Sequence, residues 1–273
     1  AVAPRSRSVY AGAVMLTMAN EAHMQLFAVQ TSRIRDDVLS RLVAVCWGRA
    51  VCKAPRLSGL CVCAQAVPAS LFQRDYWTSL VWAKWAMLSE ALGVAREALW
   101  MDADVVLLRN PWPKLAGLPR SADGRRFDIY SQAELQPCGS AARLEAPDTP
   151  GAASCATSCL MNSGLMLVTR RELAATIAAA QPVNKTNGRS DEFEQDKSQR
   201  LISEGNFSSC ALPPTFAAHC WVWTYRKTRR VAMEFLDQHR CHVVTYHATC
   251  MRSLTGKLTM MGKWLNRTAR CPS

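Results

Sequence analysis

The sequence predicts an α/β protein, one domain whose mostly parallel central sheet is flanked by helices and whose loops are stapled by disulfides. Three observations predict it. The 273 residues are 49% apolar and 20% charged, which is ordinary globular composition and enough to bury one large core. Apolar runs of strand length alternate with helical stretches, the pattern of βαβ units and hence of parallel strands. Twelve cysteines occur with no C-x-x-C pair and no Cys/His knuckle, so disulfides are expected rather than zinc.

Taken in order, residues 9–18 read as an apolar strand, 22–32 as a helix and 39–47 as a second buried run. Residues 46–68 mix Gly, Pro and Cys and read as a pinned irregular region. The clearest helix is 74–93, with Asp75 near its start, no internal Pro or Gly, and Gly93 placed to close it. Its stripe Trp77, Val81, Lys84, Leu88 and Ala91 has helical spacing, which turns a lysine toward the core. A buried strand starts at 98–101, runs through Asp102-Ala103-Asp104 and continues over 105–108; Asn110-Pro111-Trp112-Pro113 ends its pairing. Residues 137–158, rich in Pro, Gly, Ala and Cys, read as a long surface excursion and a candidate lid. A strand over 160–168 carries Asn162-Ser163-Gly164. Thr169 and Glu172 then form a capping-box pattern before an apolar helical run that Pro182 stops. A helix over 190–203 has acids in its first turn and ends at Gly205. The last buried strand is 241–247, followed by a basic segment over 252–263.

A net charge of +12 favours anionic, phosphate-bearing partners. The basic residues are scattered and no nucleic-acid-binding pattern accompanies them, so a nucleotide or sugar-phosphate ligand is preferred to nucleic acid. No run approaches the roughly 20 apolar residues of a membrane span, so membrane association is expected only through a segment outside this chain. Three sequons, at Asn184, Asn206 and Asn266, join the cysteines in pointing to passage through the secretory pathway.

Asp102 and Asp104, flanked by apolar residues, gather four carboxylate oxygens at the edge of a core, where like charges repel without a cation. A hard divalent ion suits them and keeps open positions for phosphate, which makes the pair a diphosphate clamp. Because a repulsive pair would be relieved, replacing Asp104 is expected to leave stability unchanged or improved.

Trp82-Ala83-Lys84, Leu88 and Leu92-Gly93, then Leu99-Trp100-Met101-Asp102-Ala103-Asp104-Val105-Val106 and Arg109-Asn110-Pro111, resemble the nucleotide-diphospho-sugar transferase family. These are glycosyltransferases of the GT-A fold, including plant and algal arabinosyl-, xylosyl- and galactosyltransferases. Asn162-Ser163-Gly164-Leu165-Met166 resembles the family's N-S-G strand, and His247 with Gly256-Lys257, Leu258 and Trp264 its C-terminal signature, so the likeness covers nearly the whole chain. It implies a single Rossmann-like catalytic domain over 1–273, with a nucleotide-binding half of about 1–113 and an acceptor and sugar half of about 114–273. Asp102, Asp104 and His247 are implied to hold Mn²⁺ or Mg²⁺, and Lys84 and Lys257 to face the diphosphate. Asp128 and Asn162, with Gly164, are implied to meet the donor sugar, and Thr17 and Asn20 the base. Gln195 and Asp196 are implied at the reaction centre, in a Glu194-Gln195-Asp196 triplet that departs from the family's D-Q order. A second departure is Cys46, where the family often carries aspartate.

The implied activity is metal-dependent transfer of a sugar, with retention, from a nucleotide-diphosphate sugar to a glycan or glycoprotein in the Golgi lumen. A UDP-sugar is the expected donor. Two rivals stand beside it. Asp102-x-Asp104 after an apolar strand also mimics the nucleophile motif of haloacid-dehalogenase-type phosphatases, and a disulfide-rich sugar-binding module without turnover would keep the fold.

Overall fold

Strand β1 (Ala13–Asn20) sends Val14 and Leu16 to one face and Met15 and Ala19 to the other, and all four are buried. A strand covered on both faces has no polar side, which is why a central parallel strand reads as one apolar run. The computed structural model describes residues 12–32, 34, 36–53, 60–63, 76–133, 161–180, 194–213, 216–219, 237–249 and 251–271.

After β1 come helices α1 (Met24–Thr31) and α2 (Asp36–Leu39), then strand β2 (Leu42–Trp47), the short helix α3 (Arg49–Cys52) and strand β3 (Cys61–Cys63). Helix α4 (Tyr76–Ala91) leads into β4 (Glu97–Met101), β5 (Val105–Leu107) and α5 (Trp112–Ala116). The second half holds β6 (Ile129–Ala133), β7 (Met161–Val168), α6 (Arg171–Ala179), α7 (Glu194–Ser203), β8 (Ser209–Ala211), β9 (Ala217–His219), β10 (Thr245–His247) and α8 (Leu254–Thr268).

Seven of these strands form one sheet in the order β3-β2-β1-β4-β7-β6-β8, parallel throughout except that β7 runs against both neighbours. Trp82, Trp85 and Leu88 of α4 pack on one face with Leu173 and Ile177 of α6; Phe27 of α1 and Val38 of α2 pack on the other. Lys84 lies on the buried face of α4, as its spacing predicts, and is 1% exposed. Disulfides Cys46–Cys61 and Cys52–Cys63 tie β2 and α3 to the edge strand β3, and Cys241–Cys271 ties the approach to β10 to the end of α8. Cys210 is disulfide-bonded as well. Among the described residues no helix is long and apolar enough to cross a membrane.

The structure departs from or sharpens the sequence reading in several places; the last strand, for one, is Thr245–His247 rather than 241–247. Residues 105–107 do not extend β4: the chain breaks at the Asp102–Asp104 turn, and β5 enters a second sheet, β5-β10-β9. Thr169 does not cap α6. Arg170 occupies the cap, while the Thr169 hydroxyl donates to the Phe127 carbonyl at 2.7 Å, a partner that β6 brings from outside the local sequence. Residues 61–63, inside the stretch read as irregular, form an edge strand because β2 offers an open ladder. The basic segment is the helix α8, capped by Ser253, whose Oγ accepts from Gly256 N. The candidate lid at 137–158 and the sequon at Asn184 lie outside the described residues, whereas Asn206 and Asn266 are exposed.

Candidate functional site

The break between the two sheets builds the site. Asp102 N donates to Gly164 O of β7 at 2.7 Å, and Val105 N donates back to Asp102 O at 3.0 Å, which closes the Asp102–Asp104 turn. In the second sheet β10 runs antiparallel to β5 with His247 opposite Val105, and Ala248 N donates to Asp104 O at 3.0 Å. Strand register thus delivers an imidazole from the far end of the sequence to the second aspartate.

One ligand atom from each of Asp102, Asp104 and His247 lies within 4.8 Å of the others, and His247 Nε2 is 3.2 Å from Asp104 Oδ1. The donor set, carboxylate oxygens plus one imidazole nitrogen, suits Mn²⁺ or Mg²⁺. His247 Nδ1 lies 2.7 Å from Gln132 Oε1, an oxygen that can only accept, so Nδ1 carries a proton and the lone pair of a neutral ring sits on Nε2. That lone pair faces a carboxylate oxygen. Two acceptors at this distance call for a positive charge between them, so the residues fit the ion.

Burial by itself would raise the Asp104 carboxyl, but His247 and Lys257 outweigh it and hold the group well below the usual carboxylate range. Lys257 reaches down from α8 to donate to Asp104 Oδ2. The repulsion expected from the two aspartates is therefore offset at Asp104 by the Lys257 ammonium and the adjoining His247 ring. Removing this carboxylate would strand them, which reverses the expected gain in stability.

Asp102 is held by two side chains: Trp100 Nε1 donates to Oδ1 at 2.7 Å and Gln30 Nε2 donates to its carbonyl at 3.0 Å, while Thr17 Oγ1 donates to Gln30 Oε1 at 3.3 Å. Gly164 contributes the absence of a side chain. A Cβ there would stand 2.9 Å from Asp102 Oδ2 and 3.0 Å from Asn162 Oδ1, and would overlap His247 Cε1.

Asp102, Asp104, His247, Asn20, Lys84, Asn162, Gly164, Gln195, Asp196 and Lys257 all line one cleft of about 380 Å³. It opens at the carboxyl ends of β1, β2 and β4, where an α/β sheet reverses its winding and binds ligands. Within it the Lys84 ammonium has three acceptors: Glu194 Oε1 at 2.7 Å, Ser163 Oγ at 2.6 Å and Ser163 O at 3.2 Å. Ser163 Oγ donates in turn to Glu194 Oε1 at 2.6 Å. Gln195 Oε1 accepts from Ser163 N at 3.1 Å.

Two expected residues fall elsewhere. Thr17 is fully buried behind the cleft and reaches it only through Gln30. Asp128 precedes β6 at the end opposite Gln132, about 13 Å away along the strand. There it accepts from Ser208 N at 2.7 Å and Ser208 Oγ at 2.9 Å, and it lines a separate cavity with Arg96, Arg126 and Arg170. It was expected to meet the donor sugar and is not among the residues that line the cleft.

Sequence reasoning did not single out Gln30, Gln132, His23 or Trp47, the last two of which also line the cleft, and it gave Trp100 no role of its own. The available signal was a fully buried glutamine inside an otherwise apolar helix or strand, which requires a partner but does not name it. Burial pushes the His23 imidazole below its ordinary value and Lys257 adds to this, against the opposing pull of Asp104 and Asp102.

No protein-family model matches the chain, and no curated protein is similar to it in sequence. Solved structures do resemble it. The galactosyltransferase LgtC, in complex with donor and acceptor sugar analogues, aligns with a TM-score of 0.50 at 10% identity, over 95% of this chain and 96% of its own. The bifunctional glycosyltransferase WbbM, in its apo form, aligns with a TM-score of 0.55 at 9% identity, over 96% of this chain and 50% of its own. At such identities the likeness concerns architecture: the mostly parallel seven-stranded sheet with its antiparallel β7 is a GT-A-like fold.

Proposed function

We propose that this chain is a metal-dependent glycosyltransferase that moves a sugar, with retention, from a nucleotide-diphosphate sugar to a glycan or glycoprotein acceptor. The observation that carries the reading is the convergence of Asp102, Asp104 and His247 in the cleft at the carboxyl ends of β1 and β4. A divalent cation held by these three residues would supply Lewis-acid neutralisation of the diphosphate as the glycosidic bond breaks. Lys257 adds a second positive charge at the same end of the cleft. Asn162, Gln195 and Asp196 form the polar wall that faces the sugar, and Asn20 the approach to the base. Glu194 is tied to Lys84 and Ser163 and is not available as a strong base or nucleophile. Retention needs neither, because the departing phosphate can accept the acceptor's proton on the same face of the sugar.

In this reading residues 1–113 bind the nucleotide and 114–273 meet the sugar and acceptor. The donor is a UDP-sugar, and the compartment is the Golgi lumen, with which the disulfides and exposed sequons agree.

The phosphatase reading has weaker support. Its motif belongs on the first strand of the domain, whereas here the aspartates follow β4, and Asp104, needed to handle the proton, is engaged by Lys257 and His247. A panel of nucleotide sugars, each with and without Mn²⁺, tests all three readings through nucleotide release. Metal-dependent release from one donor supports the transferase. Hydrolysis of simple phosphate esters with an acyl phosphate trapped on Asp102 would replace it with the phosphatase, and binding without turnover with the sugar-binding module.

A further inference from the structure

We propose that Gln132 is the positioning residue of the metal site: it fixes the tautomer of His247 so that Nε2 presents its lone pair to the cation. The inference deepens the metal-dependent reading above and rests on it.

The side-chain amide is 1% exposed and both of its ends are used. Nε2 donates to the carbonyl of Ala217 at 2.9 Å and lies 3.5 Å from that of Ala218. A carbonyl can only accept, so these contacts fix which end of the amide is nitrogen. Oε1 is then left 2.7 Å from His247 Nδ1, and an oxygen without a proton requires the ring nitrogen to donate. The tautomer follows from two backbone carbonyls of β9, the strand that pairs with β10 alongside His247. Gln132 thus connects the large sheet to the small one through the ligand itself.

The backbone is arranged to aim it. Along β6 the pairing with β7 runs Ile129 with Val168 and Ser131 with Met166, then slips, so that Gln132 faces Asn162. Such an irregularity re-aims one side chain without disturbing the strands on either side. Tyr130, two residues earlier, packs in the core on the face where β9 also lies, so Gln132 is the polar tip of an otherwise ordinary buried strand.

Two variants separate positioning from bulk support. Gln132→Leu removes both the acceptor for Nδ1 and the donor to Ala217. Gln132→Glu keeps the acceptor and loses the donor. Both should lower the melting temperature, because Ala217 O loses its partner in each. Titration of the metal-free protein with Mn²⁺ alone should show a loss of about 10- to 100-fold for Gln132→Leu and at most about 3-fold for Gln132→Glu, the usual range for an outer-shell partner and its conservative rescue. Long-range ¹H–¹⁵N spectra of the metal-free protein above about pH 8, where imidazole is neutral, should place the His247 proton on Nδ1 in wild type and Gln132→Glu and shift it toward Nε2 in Gln132→Leu.

A wild-type proton on Nε2 would overturn the proposal, as would equal Mn²⁺ loss in both variants or wild-type affinity in Gln132→Leu. If wild type takes up no Mn²⁺, the metal reading fails by itself; the tautomer measurement needs no metal and still decides the role of Gln132. It also decides that role if Gln132→Leu does not fold.

Discussion

Gly164→Ala is the sharpest test of the site, because a single methyl would enter the space where His247 and Asp102, two of the three candidate ligands, meet Asn162. Its Cβ would lie 2.9 Å from Asp102 Oδ2 and 3.0 Å from Asn162 Oδ1 and would overlap His247 Cε1. Ordinary carbon contacts fall near 3.5–4.0 Å, so the imidazole would have to retreat by about 1 Å. The ring has little freedom to do so, being 2% exposed and tied to Gln132. Nor can β7 give way easily, since Gly164 O accepts from Asp102 N and Gly164 N donates to Asn162 Oδ1. Metal sites tolerate ligand errors of about 0.2 Å, and a misplacement of about 1 Å costs on the order of 100-fold in turnover. Overpacking adds about 1–3 kcal/mol of lost stability. Gly262→Ala is the control, because a Cβ at that helical glycine meets nothing within 4 Å. Mn²⁺ titration and nucleotide release should both collapse in Gly164→Ala and remain at wild-type level in Gly262→Ala. Undiminished Mn²⁺ affinity in Gly164→Ala would refute the geometry and, with it, the placement of the cation.

Lys257→Met removes a cation that competes for Asp104; Mn²⁺ titration without nucleotide should tighten by about 10-fold, while nucleotide-diphosphate affinity with Mn²⁺ present should weaken. Unchanged Mn²⁺ binding would mean that Lys257 does not guard the carboxylate. Lys84→Met leaves the buried carboxylate of Glu194 unpaired, with side chains only 2% and 5% exposed in the wild-type pair. It should cost about 3–5 kcal/mol by urea denaturation, much of it recovered in Lys84→Met/Glu194→Gln; a loss below about 1 kcal/mol would contradict the ion pair. For His23 the folded-state value lies below the unfolded one, so the unfolded chain takes up the proton first as pH falls. Stability should therefore decline on acidification through the ordinary histidine range, and the difference in melting temperature between wild type and His23→Gln should shift against wild type between about pH 7.5 and about pH 5. A constant difference would contradict the burial that lowers the His23 imidazole.

Local physics was sufficient for the scaffold. Apolar runs too continuous for a one-sided sheet, an uninterrupted helix with a lysine in its stripe, and the doublet Asp102-x-Asp104 are all properties of neighbouring residues, and each keeps its meaning in the folded chain. The doublet also explains itself, since paired carboxylates at the edge of a core call for positive charge wherever the rest of the chain goes. The partners were decided by tertiary structure alone. Whether His247 meets Asp104 depends on the register of β10 against β5, and no local pattern contains that register. Lys84, expected to face a diphosphate, lines the cleft and is held there by Glu194 and Ser163, partners that the local sequence does not name. Asp128 is engaged by Ser208 at the far end of its strand, a partner 80 residues away that no local pattern names. Gln30 and Gln132 are ordinary polar residues until a backbone carbonyl and an imidazole arrive from distant strands. Sequence determines which groups need a partner, because desolvation cost belongs to the residue; only the fold determines which partner satisfies it, because that depends on distances between segments the chain has not yet brought together.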